Sequence, residues 1–288
     1  MKAIGIITRL TLREAGRRKV LWGLLILGGL FLALYAIGLL LILPDLHSVS
    51  ARNTRGLEQI GGINAVYNFF LMAALYAANF LIVMIAVLIP IDTLAGEINS
   101  GTLQAVAVKP LRRREIVLGK WLGFVILLGM CTLLMIGGVL LVTWLTAGYV
   151  PPNPTSGPIL MFLEALVFLS VSLLGGTRLS TLANGVLGFG LFGLAFIGAF
   201  VSQVGGIMEQ LGNAGSETAI QIGKIASLIM PSEVLWRRAL SDMAEGMNPL
   251  KMMTFGASVP DPGVVGYALL YAAVLLLLAV VSFQRRDL

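Results

Sequence analysis

Along this chain the polar positions are gathered into clusters, and between the clusters lie runs of nearly unbroken apolar residues. A helix that crosses the hydrocarbon core of a bilayer needs about 20 such residues, at about 1.5 Å each, to cover roughly 30 Å. Six segments meet that length: Val20 to Leu43, Phe69 to Ile91, Trp121 to Ala147, Ile159 to Gly176, Leu182 to Val201 and Val264 to Ser282. The uncharged stretch from Trp121 to Leu163 is too long for one crossing. Pro151, Pro152, Pro154 and Pro158, with Asn153 and Gly157, divide it into two helices, because proline removes a backbone donor and blocks helix continuation.

Between the spans the pattern changes. Residues 1–19 place Ile4, Ile7 and either Leu10 or Leu12 on one side, with Arg9, Arg13, Arg17 and Arg18 giving a basic side. The spacing predicts an amphipathic elbow helix at the interface. The alternative is a basic flank that only orients the first span. That span exceeds the 7 to 15 residues of a signal-peptide core, so it is expected to be retained. The segment 202–262 is too long for an ordinary connection. Its apolar stretch from Ala219 to Ile229 is too short to span and ends at Pro231, and Ser232 is placed to cap a helix through Leu240. Short helices are expected there, either re-entrant or lying on the outer surface.

Composition agrees with the pattern. Hydrophobic residues make up 58% and charged residues 12%, against about 45 to 50% and about 25% in soluble domains, and the mean hydropathy is +0.94. Such a chain folds as an all-α integral membrane protein of six transmembrane helices. The net charge of +6 would suggest nucleic acid in a soluble protein, but here its distribution decides. With the N-terminus inside, the inner segments hold fourteen Lys and Arg, and the outer segments keep six, Arg52, Arg55, Lys224, Arg237, Arg238 and Lys251. The positive-inside rule then puts both termini in the cytoplasm and assigns the basic excess to membrane lipid and partner surfaces, with no nucleic acid implied.

The loop between the second and third spans, 92–120, carries the most information. Asn99, Ser100 and Gly101 are turn formers, so the second helix is expected to end near Glu97, a short helix to run from Thr102 to Val108, and Pro110 to stop it. Leu103, Val106 and Ala107 give that short helix an apolar edge, suited to a headgroup boundary or to a partner's groove. Arg112, Arg113 and Arg114 follow it.

The string Glu97-x3-Gly101-Thr102-Leu103, then Pro110-Leu-x-Arg113 and Ile116-Val-Leu-Gly-Lys120, resembles the first cytoplasmic loop of type-2 ABC exporter permeases. The basic N-terminal helix, the long outer loop and the ending Phe283-Gln-Arg-Arg-Asp-Leu288 are similar to that family too, so the resemblance covers 1–288 as a single permease domain. In style it is nearest to the permeases grouped with the nitrous-oxide-reductase maturation exporter. The resemblance implies a multi-pass protein of a prokaryotic cell membrane, paired with a second permease copy as a homodimer or heterodimer. It further implies a separate ABC ATPase subunit that binds ATP and magnesium. The 92–120 loop would dock on that subunit through Glu97, Gly101, Thr102, Leu103, Val106, Pro110 and Arg113. The stretch Pro231-Ser-Glu-Val-Leu-Trp-Arg-Arg also resembles a Pro-led segment before the family's last span.

The residues agree that nucleotide chemistry belongs elsewhere. A phosphate-cradling loop needs Gly-x4-Gly-Lys-Ser/Thr, and the two Gly-Lys pairs here, Gly119-Lys120 and Gly223-Lys224, precede Trp121 and Ile225. Gly188-x-Gly190-x-x-Gly193 fits a dinucleotide pattern but lies inside a span, where Gly185, Gly188, Gly190, Gly193 and Gly198 are read as close helix packing, within one copy or across two. The lone His47, the single Cys131 and scattered methionines, Met252-Met253 among them, supply no catalytic or metal-binding set. No cofactor is expected in this chain.

Three intramembrane polar residues are left as candidate pathway positions: Asn79, Glu164 and Asn184. Glu164 is the only acid inside a span, about six residues from Pro158 and so at roughly 9 Å depth by helix rise. It is either an interfacial hydrogen-bonding group or a pathway group, and the two asparagines are either interhelical hydrogen bonds or ligand contacts. A proton-coupled secondary transporter using Glu164, and a membrane assembly scaffold, are the competing functions. An intramembrane enzyme would need a convergent nucleophile and base that are not evident.

Overall fold

The computed structural model describes residues 2–52, 62–99, 113–211, 216–244 and 260–285. All regular structure among them is helical: α1 (Lys2–Ala15), α2 (Lys19–Arg52), α3 (Gly62–Asn99), α4 (Arg113–Ala147), α5 (Ser156–Gly176), α6 (Thr181–Gln210), α7 (Ser216–Ile229), α8 (Ser232–Met243) and α9 (Gly263–Gln284). Six of them, α2 to α6 and α9, are long and apolar enough to cross a membrane. Helix is the expected solution, since every backbone donor and acceptor in hydrocarbon has to be satisfied within its own segment.

The helices are longer than the apolar runs. α3 has 38 residues and α4 has 35, each near 50 Å or more by helix rise and well beyond the roughly 30 Å of hydrocarbon. Both project past the spanning zone at the end where residues 100–112 connect them. The expected short helix from Thr102 to Val108 lies outside the described residues, as do Gly101, Thr102, Leu103, Val106 and Pro110; Glu97 falls within α3 and Arg113 opens α4. Residues 113–120, expected in the loop, are helical.

α4 stops earlier than the proline cluster requires. Gly148 has φ +64°, a left-handed conformation that glycine adopts without steric cost, and its N–H donates to the Trp144 carbonyl at 2.9 Å. At the other end of α5 the chain turns sharply into α6, where Ser180 Oγ accepts from the Ala183 N–H at 3.4 Å as an N-cap.

α1 packs on the first turns of α4 through a face that keeps Ile4 and Ile7 of the expected one and leaves Leu10 outside it. Ile7, Thr11 and Ala15 are buried while Leu10 is exposed, with Ile4 and Leu12 half-buried. Small residues on α4 explain the choice: a Cβ at Gly119 would stand 2.7 Å from Ile7, and one at Gly123 2.8 Å from Thr11. Thr8 Oγ1 donates to the Gly119 carbonyl at 3.1 Å across the same seam. The backbones meet where side chains are absent, which a side-by-side count of apolar residues does not reveal. Lys120, next in sequence, is also buried. In the turn after α1, Arg18 pairs with Glu14 at 2.7 Å and reaches the Ile89 carbonyl of α3 at 3.4 Å.

α5 is the central helix and packs against α3, α4, α6, α8 and α9. Beyond α6 the chain folds back. α7 runs along α6 with glycines at the contacts: a Cβ at Gly205 would stand 2.8 Å from Ala219, and Gly198 meets Ala226. The last carbonyls of α7 are taken by α9, where Tyr271 Oη donates to the Ile229 carbonyl at 2.7 Å and Tyr267 Oη donates to the Leu228 carbonyl. Tyr271 is eight residues into α9, about 12 Å by helix rise, so the tip of α7 dips alongside the last span. α8 then returns across the end of the bundle over α5.

Candidate functional site

At the end of the bundle opposite residues 100–112, four helices meet around a crevice: α3, α5, α6 and α8. It is lined by Tyr76, Asn79, Phe80, Glu164, Phe192, Ala195, Phe196, Ser232, Glu233 and Trp236. The centre is a polar pair. Asn79 Nδ2 on α3 donates to Glu164 Oε2 on α5 at 2.9 Å, with Asn79 5% and Glu164 2% exposed. α3 and α5 pack closely along this stretch, and the pair occupies the place in their seam where a side-chain carboxylate finds a fixed N–H donor.

The other oxygen of the amide is left over. Asn79 Oδ1 is buried with no hydrogen-bond partner in the protein, and buried acceptors of this kind are uncommon in folded chains. Around the pair stands an aromatic wall. Tyr76 and Trp236 meet edge to face with centroids 5.3 Å apart, and Phe80 and Phe192 are 5.6 Å apart. A second carboxylate comes from α8, where Glu233 is 21% exposed and its Oε1 lies 3.8 Å from Arg237 Nε, one helical turn on. Partial burial pushes the Glu233 carboxyl up to about 7, and the Arg237 guanidinium pulls it back only in part. The crevice therefore gathers two carboxylates and one unused amide oxygen, all acceptors when the carboxylates are ionised.

Of the three pathway candidates, Asn79 and Glu164 are brought together and Asn184 is not. Asn184, fully buried, donates from Nδ2 to the Ser172 carbonyl at 2.8 Å, eight residues further along α5 and so about 12 Å from Glu164 by helix rise. It ties α6 to α5 near their connecting turn. The glycine row of α6 is likewise mixed. Gly188 abuts Val87 and Gly198 abuts Ala226, while nothing stands within 4 Å of where a Cβ would lie at Gly190 and Gly193.

Tyr76, Glu233 and Trp236 were not singled out by spacing or composition. Glu233 and Trp236 do fall in the Pro231-led stretch that carried a resemblance, which marked the segment without giving either a role. Asn68 was missed as well. Fully buried on α3, it donates from Nδ2 to the Tyr149 hydroxyl at 2.8 Å and to the Met243 carbonyl at 3.0 Å, fastening the end of α8 beside the crevice.

Comparison with curated proteins returns no match. A family model described as ABC-2 family transporter protein matches residues 6–288. Six spanning helices, long extensions of α3 and α4 beyond their apolar runs, and a match over nearly the whole length converge, and the chain belongs to the ABC-2 family as a multi-pass membrane permease of an ABC transporter.

Proposed function

We propose that this permease is the membrane half of an ATP-driven exporter, with both termini in the cytoplasm of a prokaryotic cell. It works as one of two copies, bound to separate ATPase subunits that hold ATP and magnesium. The observation that carries the reading is the family match over residues 6–288. The basic excess on the inner segments supports the orientation, and the Glu97 to Lys120 string supports a kinship with the nitrous-oxide-reductase maturation permeases.

In this reading the 92–120 segment docks on the ATPase. α3 and α4, which lead into and out of it, are continuous helices, and a displacement at their inner ends would travel along α3 toward the crevice that it lines. Arg113 Nη1 donates to the Gln284 carbonyl at 3.3 Å and Arg18 reaches Ile89, which bind α4 to α9 and the elbow turn to α3. Motion of the docking segment would carry α1, α3, α4 and α9 together.

The test is copurification from the native membrane. A P-loop ATPase is expected with the wild-type chain, and Leu103→Asp is expected to lose the ATPase or its stimulation at least tenfold while expression persists. Retained association and transport in Leu103→Asp would remove the docking assignment. Transport without ATP that fails in Glu164→Gln would instead favour a proton-coupled carrier, and an associated ATPase with no transported species would favour a scaffold.

A further inference from the structure

We infer that the crevice between α3, α5, α6 and α8 is a binding site for the primary ammonium group of an amphiphilic amine, a substrate class for the permease. This rests on the transport reading above and adds its ligand. Asn79 Oδ1 is buried, lines the crevice and has no partner; Glu164 shares the crevice with its Oε2 already oriented by Asn79 Nδ2 at 2.9 Å; Glu233 supplies a second carboxylate from α8. A ligand that meets three acceptors has to bring donors, and an –NH3+ group brings three.

The walls choose among cations. A divalent metal would have to complete its six to eight oxygen ligands largely with water, which the surrounding aromatic side chains do not hold in place. Tyr76, Phe80 and Trp236 instead suit an organic cation, whose charge is attracted to aromatic faces and whose apolar body replaces water around them. Tyr76 and Phe80 are also 43% and 41% exposed, so the aromatic rim continues onto the outer surface of the bundle, where an alkyl tail would lie. Arg237, one turn along α8, is 3.8 Å from Glu233 and is not among the residues that line the crevice. Asn68 and Asn184 also keep a buried amide oxygen without a partner; what sets Asn79 apart is that its amide lines a crevice shared with two carboxylates.

The experiment uses the full chain in phosphatidylcholine nanodiscs, titrated with dodecylamine at pH 7.5 and followed by Trp236 fluorescence, with Trp236→Phe as the reference for signal from other tryptophans. Saturable quenching is expected with dodecylamine and not with dodecanol, which has the same chain without the charge. Glu164→Gln, which preserves shape and can still bond Asn79, is expected to weaken dodecylamine at least tenfold, and Glu233→Gln severalfold. Replacing part of the lipid with phosphatidylethanolamine separates the sources of the ammonium: a raised midpoint for dodecylamine points to a lipid headgroup, an unchanged one to a free amine. Equal affinity in wild type, Glu164→Gln and Glu233→Gln, or no saturable quenching in a preparation that still binds its ATPase, overturns the site while leaving the permease reading standing. A preparation that binds the amine yet never associates with an ATPase breaks the permease reading and keeps the site.

Discussion

The central helices α3 and α5 and the peripheral helices α2, α6 and α9 are equally apolar in sequence but play opposite parts. In their most apolar stretches, 67% of α3 and 78% of α5 is buried, against 11% of α2 and 17% each of α6 and α9. Lipid tails are as apolar as leucine, so hydrophobicity alone does not draw a helix to the centre of a membrane bundle. Polar content separates α3 and α5 from α2 and α9 better, with α6 between them through its buried Asn184. α3 and α5 hold Asn68, Asn79, Glu164, Ser170 and Ser172, all buried, whereas the outward faces of α2 and α9 carry Leu34, Leu41, Leu270 and Leu277. Polar side chains in hydrocarbon seek one another or a neighbouring carbonyl, as Asn79 does with Glu164 and Ser172 does with the Val87 carbonyl at 3.1 Å.

The sharpest way to break that comparison is to remove the same side chain from each group. Phe168 on α5 is fully buried and Phe200 on α6 is 60% exposed. Phe168→Ala leaves a cavity walled by close-packed helices and is expected to cost about 3 kcal/mol. Phe200→Ala exchanges a ring against lipid or detergent for a methyl group there and is expected to stay within about 0.5 kcal/mol. Thermal melting of the purified chain distinguishes the two, and equal losses would show that the centre of the bundle is no better packed than its rim.

A milder test stays within one helix. At Gly188 a Cβ would stand 2.6 Å from a Val87 methyl, while at Gly190 it would meet nothing within 4 Å. Gly188→Leu overpacks the seam between α3 and α6 and is expected to cost about 1 to 3 kcal/mol. Gly190→Leu should leave melting unchanged, and a loss of dimer in that variant alone, read by light scattering, would show that a second copy occupies the open half of the glycine row.

Much of this was legible in the sequence for a physical reason. The thickness of hydrocarbon imposes run lengths of about 20 residues, and all six expected spans coincide with helices, displaced mainly by overhangs such as Arg113 to Lys120. What escaped was whatever depends on two distant segments meeting. Asn79 and Glu164 are 85 positions apart, and nothing in either neighbourhood indicates that Glu164 meets Asn79 and not Asn184. The elbow's packed face was set by Gly119 and Gly123, more than a hundred residues away, and only that contact decides between Leu10, which is exposed, and Leu12, which is half-buried. Gly148 was overshadowed by the prolines that follow it. Glu233 sat in a recognisable stretch, yet its chemistry comes from α8 folding over α3 and α5.

The smallest expected effect lies on the boundary between the two groups, at Glu233, where an element outside the membrane bundle closes over its polar centre. Burial pushes this carboxyl from its ordinary 4.5 up to about 7, with Arg237 opposing. Below 4.5 both the folded and the unfolded chain hold the proton, so the group imposes no penalty. Between 4.5 and 7 the folded chain keeps its proton while the unfolded chain releases it; the stabilisation from the neutral form is therefore lost as pH rises through about 7, and above that the curve is level. Wild type should thus lose melting temperature relative to Glu233→Gln as pH is raised from 5 to 8, with no further divergence beyond. Taking the difference cancels groups common to both chains that do not face Glu233. Parallel melting curves would mean that Glu233 is solvated in the folded chain, and that α8 does not seal the crevice from water.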